Sequence, residues 1–330
     1  MYTQKILEAF TNEEYTLAHQ LLSTRVAFMM GRKFEEGDWS EVYCKSKDIQ
    51  PQGWSNLNID IINGNQGIEH KMLCYRNGNI LSACGCTFMH PSATRSIRLP
   101  SLDIDPNDAM TDILGQYKEF LLTRQNKILE NSQYNEADMR TGWLLWQDNL
   151  HQFLYFEEKT HIPNPDDYIA QWVENPSKGI RKSSKNLWIY EKDSGRKRFS
   201  VTTSAGAKIQ PYFDVPAIGT KGLYHFVVIG EKIMSDTVRI WITKQTYLNL
   251  YTLLQGDLSK SNISNIIINV SKEIKDDPSI VTCDYEKAFP ILISTEAYNE
   301  LKTSLPGIND DHSIQLLIGY LSSKSEKNYQ

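Results

Sequence analysis

Asp60 and the tripeptide Glu69-His70-Lys71 are the residues whose types and spacing suit chemistry at a phosphate. They belong to the stretch Leu57 to Leu73. There, two apolar, β-branched runs flank Asn63-Gly64-Asn65-Gln66, the pattern of a hairpin. With those four residues as the loop, Asp60 stands directly across from Glu69. Cross-strand neighbours have Cβ atoms roughly 4.5–5.5 Å apart. Strand side chains alternate, so Glu69 and Lys71 share a face and His70 points to the other side. Two carboxylates and an ammonium then converge on one spot. Such a group can hold a hard divalent cation on oxygen ligands and set a cation beside a water molecule. Metal-dependent phosphodiester hydrolysis needs that geometry.

The same letters also describe a solvated hairpin face with a Glu–Lys ladder, and the chain holds decoys. Asp148 precedes Glu157-Glu158-Lys159 at the offset that separates Asp60 from Glu69, and Glu273-Ile274-Lys275 repeats the tripeptide. Asp148 ranks below Asp60 because the segment before Phe153 has no clean hairpin turn. Phe153–Phe156 is expected as a buried strand, with Glu157, Glu158 and Lys159 exposed at its rim.

The elements that must position the hairpin follow from periodicity and caps. Residues 4–31 read as a helix, with a capping box at Thr11 and Glu14 ahead of a stripe through Ala18, Leu22 and Val26. Gly31 is its expected stop. A loop and short helix follow around Glu35–Tyr43, where Glu36 or Glu41 offers a further acid. Asp105-Pro106 caps a long helix to about residue 131, with Met110, Ile113, Leu114, Tyr117, Phe120 and Leu121 as its apolar face. Trp143–Trp146 reads as a strand and Tyr168–Val173 as a short helix. Asn175-Pro176-Ser177 marks the boundary between two expected domains, 1–177 and 178–330. Beyond it, strands are expected at 187–190, 224–229, 237–242, 266–270 and 289–293, helices at 244–254 and 295–303, and a frayed tail from Ser322.

The chain has 330 residues, 40% hydrophobic and 11% aromatic, ordinary values for a folded globular protein. Its formal net charge is −5 and its pI about 5.9, so a polyanion must be met by a local basic patch. The five cysteines, Cys44, Cys74, Cys84, Cys86 and Cys283, include no CxxC pair, which argues against zinc and for reduced thiols. The N-terminal residues lack a signal-peptide core, and no apolar run reaches the roughly 18 residues of a membrane span. A soluble, cytoplasmic protein is expected.

Two segments could supply the basic patch. His90 to Arg98, with Arg95 and Arg98 among small hydroxyl residues, suits contacts to backbone phosphates. The span 178–208 holds Lys178, Arg181, Lys182, Lys185, Lys192, Arg196, Lys197, Arg198 and Lys208 against Glu191 and Asp193 alone. Interleaved with Trp188, Tyr190 and Tyr212, these groups suit a nucleic-acid face.

A helix, an acid, a hairpin bearing Asp60 and Glu69-His70-Lys71, then a helix and further strands resembles the PD-(D/E)xK nuclease core, and specifically a type II restriction endonuclease. The motif resemblance covers residues 10 to about 135. Asn58-Ile59 departs from it, standing where a proline often precedes the acid. The resemblance implies an α/β fold of mixed α+β type: a restriction-endonuclease-like mixed central sheet flanked by helices, ahead of a strand-rich C-terminal half. It implies Asp60 and Glu69 as Mg²⁺ ligands, the His70 carbonyl as a further ligand, and Lys71 as the group that positions water. It also implies double-stranded DNA as substrate, a homodimer, and a cognate DNA methyltransferase as genetic partner. Arg95, Arg98, Arg181, Lys182, Arg196, Lys197 and Arg198 are the expected DNA contacts. Two alternatives stay open. One is a modification-dependent endonuclease whose C-terminal half reads a flipped base with aromatics such as Trp188, Tyr212, Phe213 and Trp241. The other is a non-catalytic DNA-binding protein.

Overall fold

The structure is a computed structural model. It describes the chain apart from residues 1–4, 30–32, 51–58, 90–94, 100, 131–132, 177–182, 204–205, 274–287 and 328–330, and the side chains of 325–327. The expected domain boundary at 177/178 lies outside the described residues, as do Arg181 and Lys182.

In chain order the elements are β1 (Ile6–Leu7), α1 (Asn12–Ala27), α2 (Glu36–Ser46), β2 (Ile61–Asn63), β3 (Gln66–Cys74), β4 (Thr87–Met89), β5 (Arg95–Ser96) and α3 (Pro106–Leu129). Then come β6 (Asp138–Trp146), β7 (Gln152–Lys159), β8 (Tyr168–Asn175), β9 (Ser184–Glu191), β10 (Lys197–Thr202) and β11 (Lys208–Asp214). The chain continues through β12 (Tyr224–Val227), β13 (Glu231–Met234), β14 (Thr237–Ile242), α4 (Lys244–Leu253), α5 (Lys260–Val270), β15 (Phe289–Ser294), α6 (Thr295–Ser304) and α7 (Asp310–Lys327). The fold is mixed α/β, as the sequence led us to expect. Among the described residues no helix is long and apolar enough to cross a membrane, and Cys44, Cys74, Cys84 and Cys86 are free thiols.

Two compact units share the chain. The first comprises residues 1–9, 50–145 and 154–224. It holds one sheet ordered β1-β7-β6-β3-β2 and a second ordered β4-β11-β10-β9-β8, with β5 also paired to β11. α3 is the strut between them. Asp105 caps it through the Asn107 amide at 2.8 Å, and Pro106 supplies a preset first turn. Its N-terminal half lays Ala109, Met110, Ile113 and Leu114 on Leu187, Ile189, Phe199 and Val201 of the second sheet. Its C-terminal half lays Leu121 and Ile128 on Ile59 and Met139 beside the first. Burying each large aliphatic side chain contributes roughly 1.5–3 kcal/mol. Phe213 of β11 stacks on Trp143 of β6 at 3.9 Å between ring centres, which ties the two sheets together.

The second unit comprises residues 10–49, 146–153 and 225–330. Its sheet β13-β14-β15 is covered by an apolar cluster that includes Leu250, Ile263, Ile267, Leu301 and Ile314. α1 opens on the expected capping box: the Glu14 amide donates to Thr11 Oγ1 at 3.2 Å and the Thr11 amide to Glu14 Oε2 at 2.7 Å.

Several elements differ from the sequence reading. The first helix begins at Asn12 rather than residue 4, and Ile6–Leu7 form β1 against β7. Tyr168–Asn175 is a strand, because Tyr168, Ala170 and Trp172 alternate into the core while Ile169 and Gln171 stay exposed. Residues 266–270 lie in helix α5, where Ser259 caps the turn and Ile263 and Ile267 bury one face at helical spacing. The β-branched run there favoured a strand locally, and tertiary burial overrides it. The expected tail from Ser322 continues α7 to Lys327.

Candidate active site

β2 and β3 pair antiparallel through Ile61↔Ile68, Ile62↔Gly67 and Asn63↔Gln66. The loop is therefore two residues, Gly64-Asn65, instead of four, with the same register. Gly64 sits at φ +61°, the left-handed conformation such a turn demands. The pairing ends at Ile61↔Ile68, and the Asp60 amide donates to the Ile68 carbonyl at 3.0 Å, one residue out of that register, so the structure sets Asp60 beside Ile68 at the end of the ladder. Gly67 lets α3 approach, since a Cβ there would lie 2.2 Å from Ile128 Cδ1.

The expected alternation holds. His70 is fully buried, edge-on to Tyr155 at 6.0 Å, and burial with the Lys71 charge pulls its imidazole down to about 3. Its ring is neutral throughout the physiological range and turned away from Glu69 and Lys71. Its backbone amide donates to Asp60 Oδ2 at 2.6 Å. On the other face, Lys71 Nζ lies 2.6 Å from Glu69 Oε1, and Arg124 of α3 pairs with Glu69 Oε2.

Glu69, Lys71 and Arg124 line a cavity of about 120 Å³ inside the first unit. Arg95 of β5, Arg198 of β10 and Glu158 of β7 line it too, beside Tyr117, Phe120, Trp143 and Tyr212. Lys71, Arg95, Arg124 and Arg198 thus line it with Glu69 and Glu158, and Arg198 is already matched by Glu191 and Asp214. His161 adds no charge near neutral pH, because burial lowers its affinity for a proton. Burial and the Glu69 charge hold the Tyr117 hydroxyl protonated. A small, cationic, aromatic-walled recess of this kind suits an anionic oxygen such as a phosphate's.

Mg²⁺ typically binds through one or two carboxylates, its remaining positions going to water and phosphate oxygens. Glu69 in the recess and Asp60, whose carboxylate accepts from the His70 amide, are the two carboxylates of the hairpin. Among the described residues no group of three His, Cys, Asp or Glu converges on one point. The donor set therefore fits Mg²⁺ only in its sparse mode, completed by the substrate. Glu69 must exchange one of its two cations to take part.

The remaining candidates are dispersed. Arg95 lies 4.1 Å over the Phe120 ring, and its pairing with Ile209 brings this segment onto β11. Arg98 is exposed, its backbone bonded to the Gln116 side chain. Arg196 is exposed and pairs with Asp214 at 3.1 Å. Arg198 is buried between Glu191 at 3.2 Å and Asp214 at 2.8 Å. Lys197 sits 3.4 Å over the Trp188 ring, and burial lowers it to about 8. Glu41 is occupied by Arg25 and Lys45 in the second unit. Asp148 is exposed in the β6–β7 turn, and Glu273 pairs with Lys324.

One expectation is overturned. Glu157 and Glu158 are not a solvent-exposed rim: they are 0% and 7% exposed, and only Lys159 is exposed. β1 pairs along β7 at these residues, Ile6↔Glu158 and Leu7↔Glu157, and so covers the strand end. Glu157 accepts from Arg140 Nη1 and the Tyr155 hydroxyl, both at 2.9 Å, and Glu158 from Trp143 Nε1 at 2.7 Å. Sequence reasoning also passed over Arg124. Its signal is an arginine set at helical spacing inside the buried stripe Leu121, Arg124, Ile128.

Comparison of the chain with family models, with curated proteins and with solved structures gives no match.

Proposed function

We propose that this protein is a Mg²⁺-dependent endonuclease that hydrolyses phosphodiester bonds of double-stranded DNA, in the manner of a type II restriction endonuclease. One observation carries the reading: Glu69 and Lys71 stand 2.6 Å apart on one strand face, opening on a recess lined by three arginines from different elements. Arg124 and Arg95 draw in and orient the scissile phosphate, and their charge answers the negative charge that grows on it. Lys71 holds the attacking water on the side of the phosphate next to Glu69. Asp60 and Glu69 are the residues that would hold Mg²⁺, which when bound neutralises phosphate charge and lowers the pKa of water. Tyr117 and Tyr212 present neutral side chains at the walls and keep the recess partly dry.

A second reading is a DNA-binding protein without catalysis. The engagement of both Glu69 oxygens by Lys71 and Arg124 favours it, since that is also how a structural ion pair looks. Supercoiled plasmid incubated with the protein in Mg²⁺ or in EDTA separates the two. The endonuclease reading expects nicked and linear product in Mg²⁺ alone. Retarded but uncut plasmid in both conditions establishes the second reading instead.

A further inference from the structure

The recess that Glu69 opens on holds a second carboxylate, Glu158, and strand register brings the two together. β3 and β6 are neighbours in the first sheet. Near one end the Asp138 amide donates to the Asn65 carbonyl at 2.8 Å. Further along both strands, a Cβ on Gly142 would lie 2.8 Å from His70 Cδ2. The two strands therefore run parallel, with His70 and Gly142 adjacent on the face away from the recess. One residue back on each, alternation puts Glu69 beside Thr141 on the recess face. β7 lies on the other side of β6 and follows it through a short turn. The Thr160 amide donates to the Met139 carbonyl at 2.9 Å, a register that sets Thr141 opposite Glu158. Glu69, Thr141 and Glu158 thus form one row across three strands, and all three line the recess.

Neighbouring strands are about 4.8 Å apart, so roughly 9.6 Å separates the two outer backbones of the row. Two glutamate side chains leaning inward over the short Thr141 close that gap with one cation between them. Burial, then the charges of Glu69 and Glu158, raise the Tyr117 hydroxyl's hold on its proton, so one group at the wall feels both carboxylates. Glu158 is 7% exposed, and its Oε1 accepts from Trp143 Nε1 at 2.7 Å. That indole fixes the carboxylate's orientation, and a carboxylate oxygen that accepts one bond keeps a second lone-pair site for a ligand. Asp60 gives its own carboxylate to the His70 amide at 2.6 Å, and the acid that shares the recess with Glu69 is Glu158.

We propose that Glu158 joins Glu69 in holding the divalent cation, the two carboxylates clasping it from next-but-one strands above Thr141. The inference rests on the Mg²⁺-dependent reading above and adds to it a ligand from outside the hairpin.

The test measures binding of Mn²⁺, in place of Mg²⁺, to the full chain without DNA, by electron paramagnetic resonance of the free ion. Glu158→Gln keeps a carbonyl acceptor for the Trp143 indole and should bind Mn²⁺ at least about tenfold more weakly than wild type. Lys159→Ala, next along the same strand and exposed, should bind like wild type. A second measurement needs no substitution. Fe²⁺ with ascorbate and hydrogen peroxide oxidises backbone beside the bound ion, and mass spectrometry of the wild type should find cuts near both Glu69 and Glu158. Wild-type Mn²⁺ affinity in Glu158→Gln overturns the proposal, as do Fe²⁺ cuts confined to the hairpin or a wild type that binds no Mn²⁺. If wild type cuts DNA in Mg²⁺ and Glu158→Gln binds Mn²⁺ and cuts equally well, this ligand fails and the endonuclease reading stands. If Mn²⁺ binding depends on Glu158 and wild type leaves DNA uncut, the ligand stands and the endonuclease reading fails.

Discussion

Replacing Glu157 by alanine tests the most consequential difference between the sequence pattern and the structure. As an exposed rim residue it would cost within about 0.5 kcal/mol. As placed, it is fully buried and takes two hydrogen bonds of 2.9 Å, one from the Arg140 guanidinium and one from the Tyr155 hydroxyl. Breaking a buried ion pair from one side costs about 3–5 kcal/mol, because the other charge loses its compensation. Arg140 keeps Asp138 at 2.8 Å, which places the ion-pair loss near the lower figure. The Tyr155 hydroxyl, on a fully buried residue, loses this acceptor at about 1–3 kcal/mol. Some overlap between the two losses leaves an expected total of about 4 kcal/mol for Glu157→Ala. Glu157→Gln keeps one carbonyl acceptor, for Arg140 or for the Tyr155 hydroxyl but not both, and should recover only part of that loss. Lys159→Ala, at the exposed end of the same strand, is the neutral control. Urea unfolding followed by tryptophan fluorescence reads the effect, since Trp143 and Trp146 lie on the neighbouring strand β6. Glu157→Ala with the same midpoint as Lys159→Ala would refute the buried placement.

Two further outcomes follow from the packing around the hairpin. His70 binds its proton at about 3 when folded, against an ordinary value near 6.5 in the unfolded chain. The unfolded state therefore takes up the proton first, so the stability from burying a neutral ring is complete above about pH 6.5 and lost as pH falls toward 3. At pH 5 the loss is about 2 kcal/mol, and the stability gap between wild type and His70→Leu should shrink by that amount from pH 8 to pH 5. A gap independent of pH contradicts the neutral, buried ring. Gly67→Ala drives a methyl to 2.2 Å from Ile128 Cδ1 and should cost about 1–3 kcal/mol, with Ile128→Ala relieving the clash in the double variant. Strictly additive losses would show that α3 does not press on the hairpin there.

The hairpin was legible because its signals are local. A turn-forming Gly-Asn pair between β-branched runs sets the register, so a loop two residues shorter than expected still left Ile61 paired with Ile68. α3 was legible for the same reason, through its Asp-Pro start and its apolar stripe. What the sequence hid depends on distant partners. Ile6 and Leu7 have no strand signature of their own and become a strand only by covering the end of β7. That cover is also why Glu157 and Glu158 are buried. Residues 266–270 favour extended backbone locally, and only the apolar cluster around Ile263 and Ile267 makes them helical. The basic run at 196–198 gave no sign that its members would part, because a bulge between Lys197 and Phe199 shifts the register there.

The most direct test of the central claim is single-turnover cleavage of a DNA substrate in Mg²⁺ by wild type, Glu69→Ala and Lys71→Ala, with DNA affinity measured in parallel. Both side chains are assigned to metal and water, which matter in the transition state more than in binding. Both variants should therefore lose cleavage by at least about a hundredfold with affinity within a fewfold of wild type, and Asp60→Asn should behave alike. Cleavage at near-wild-type rate by either Glu69→Ala or Lys71→Ala would contradict the assignment of this hairpin as the catalytic site.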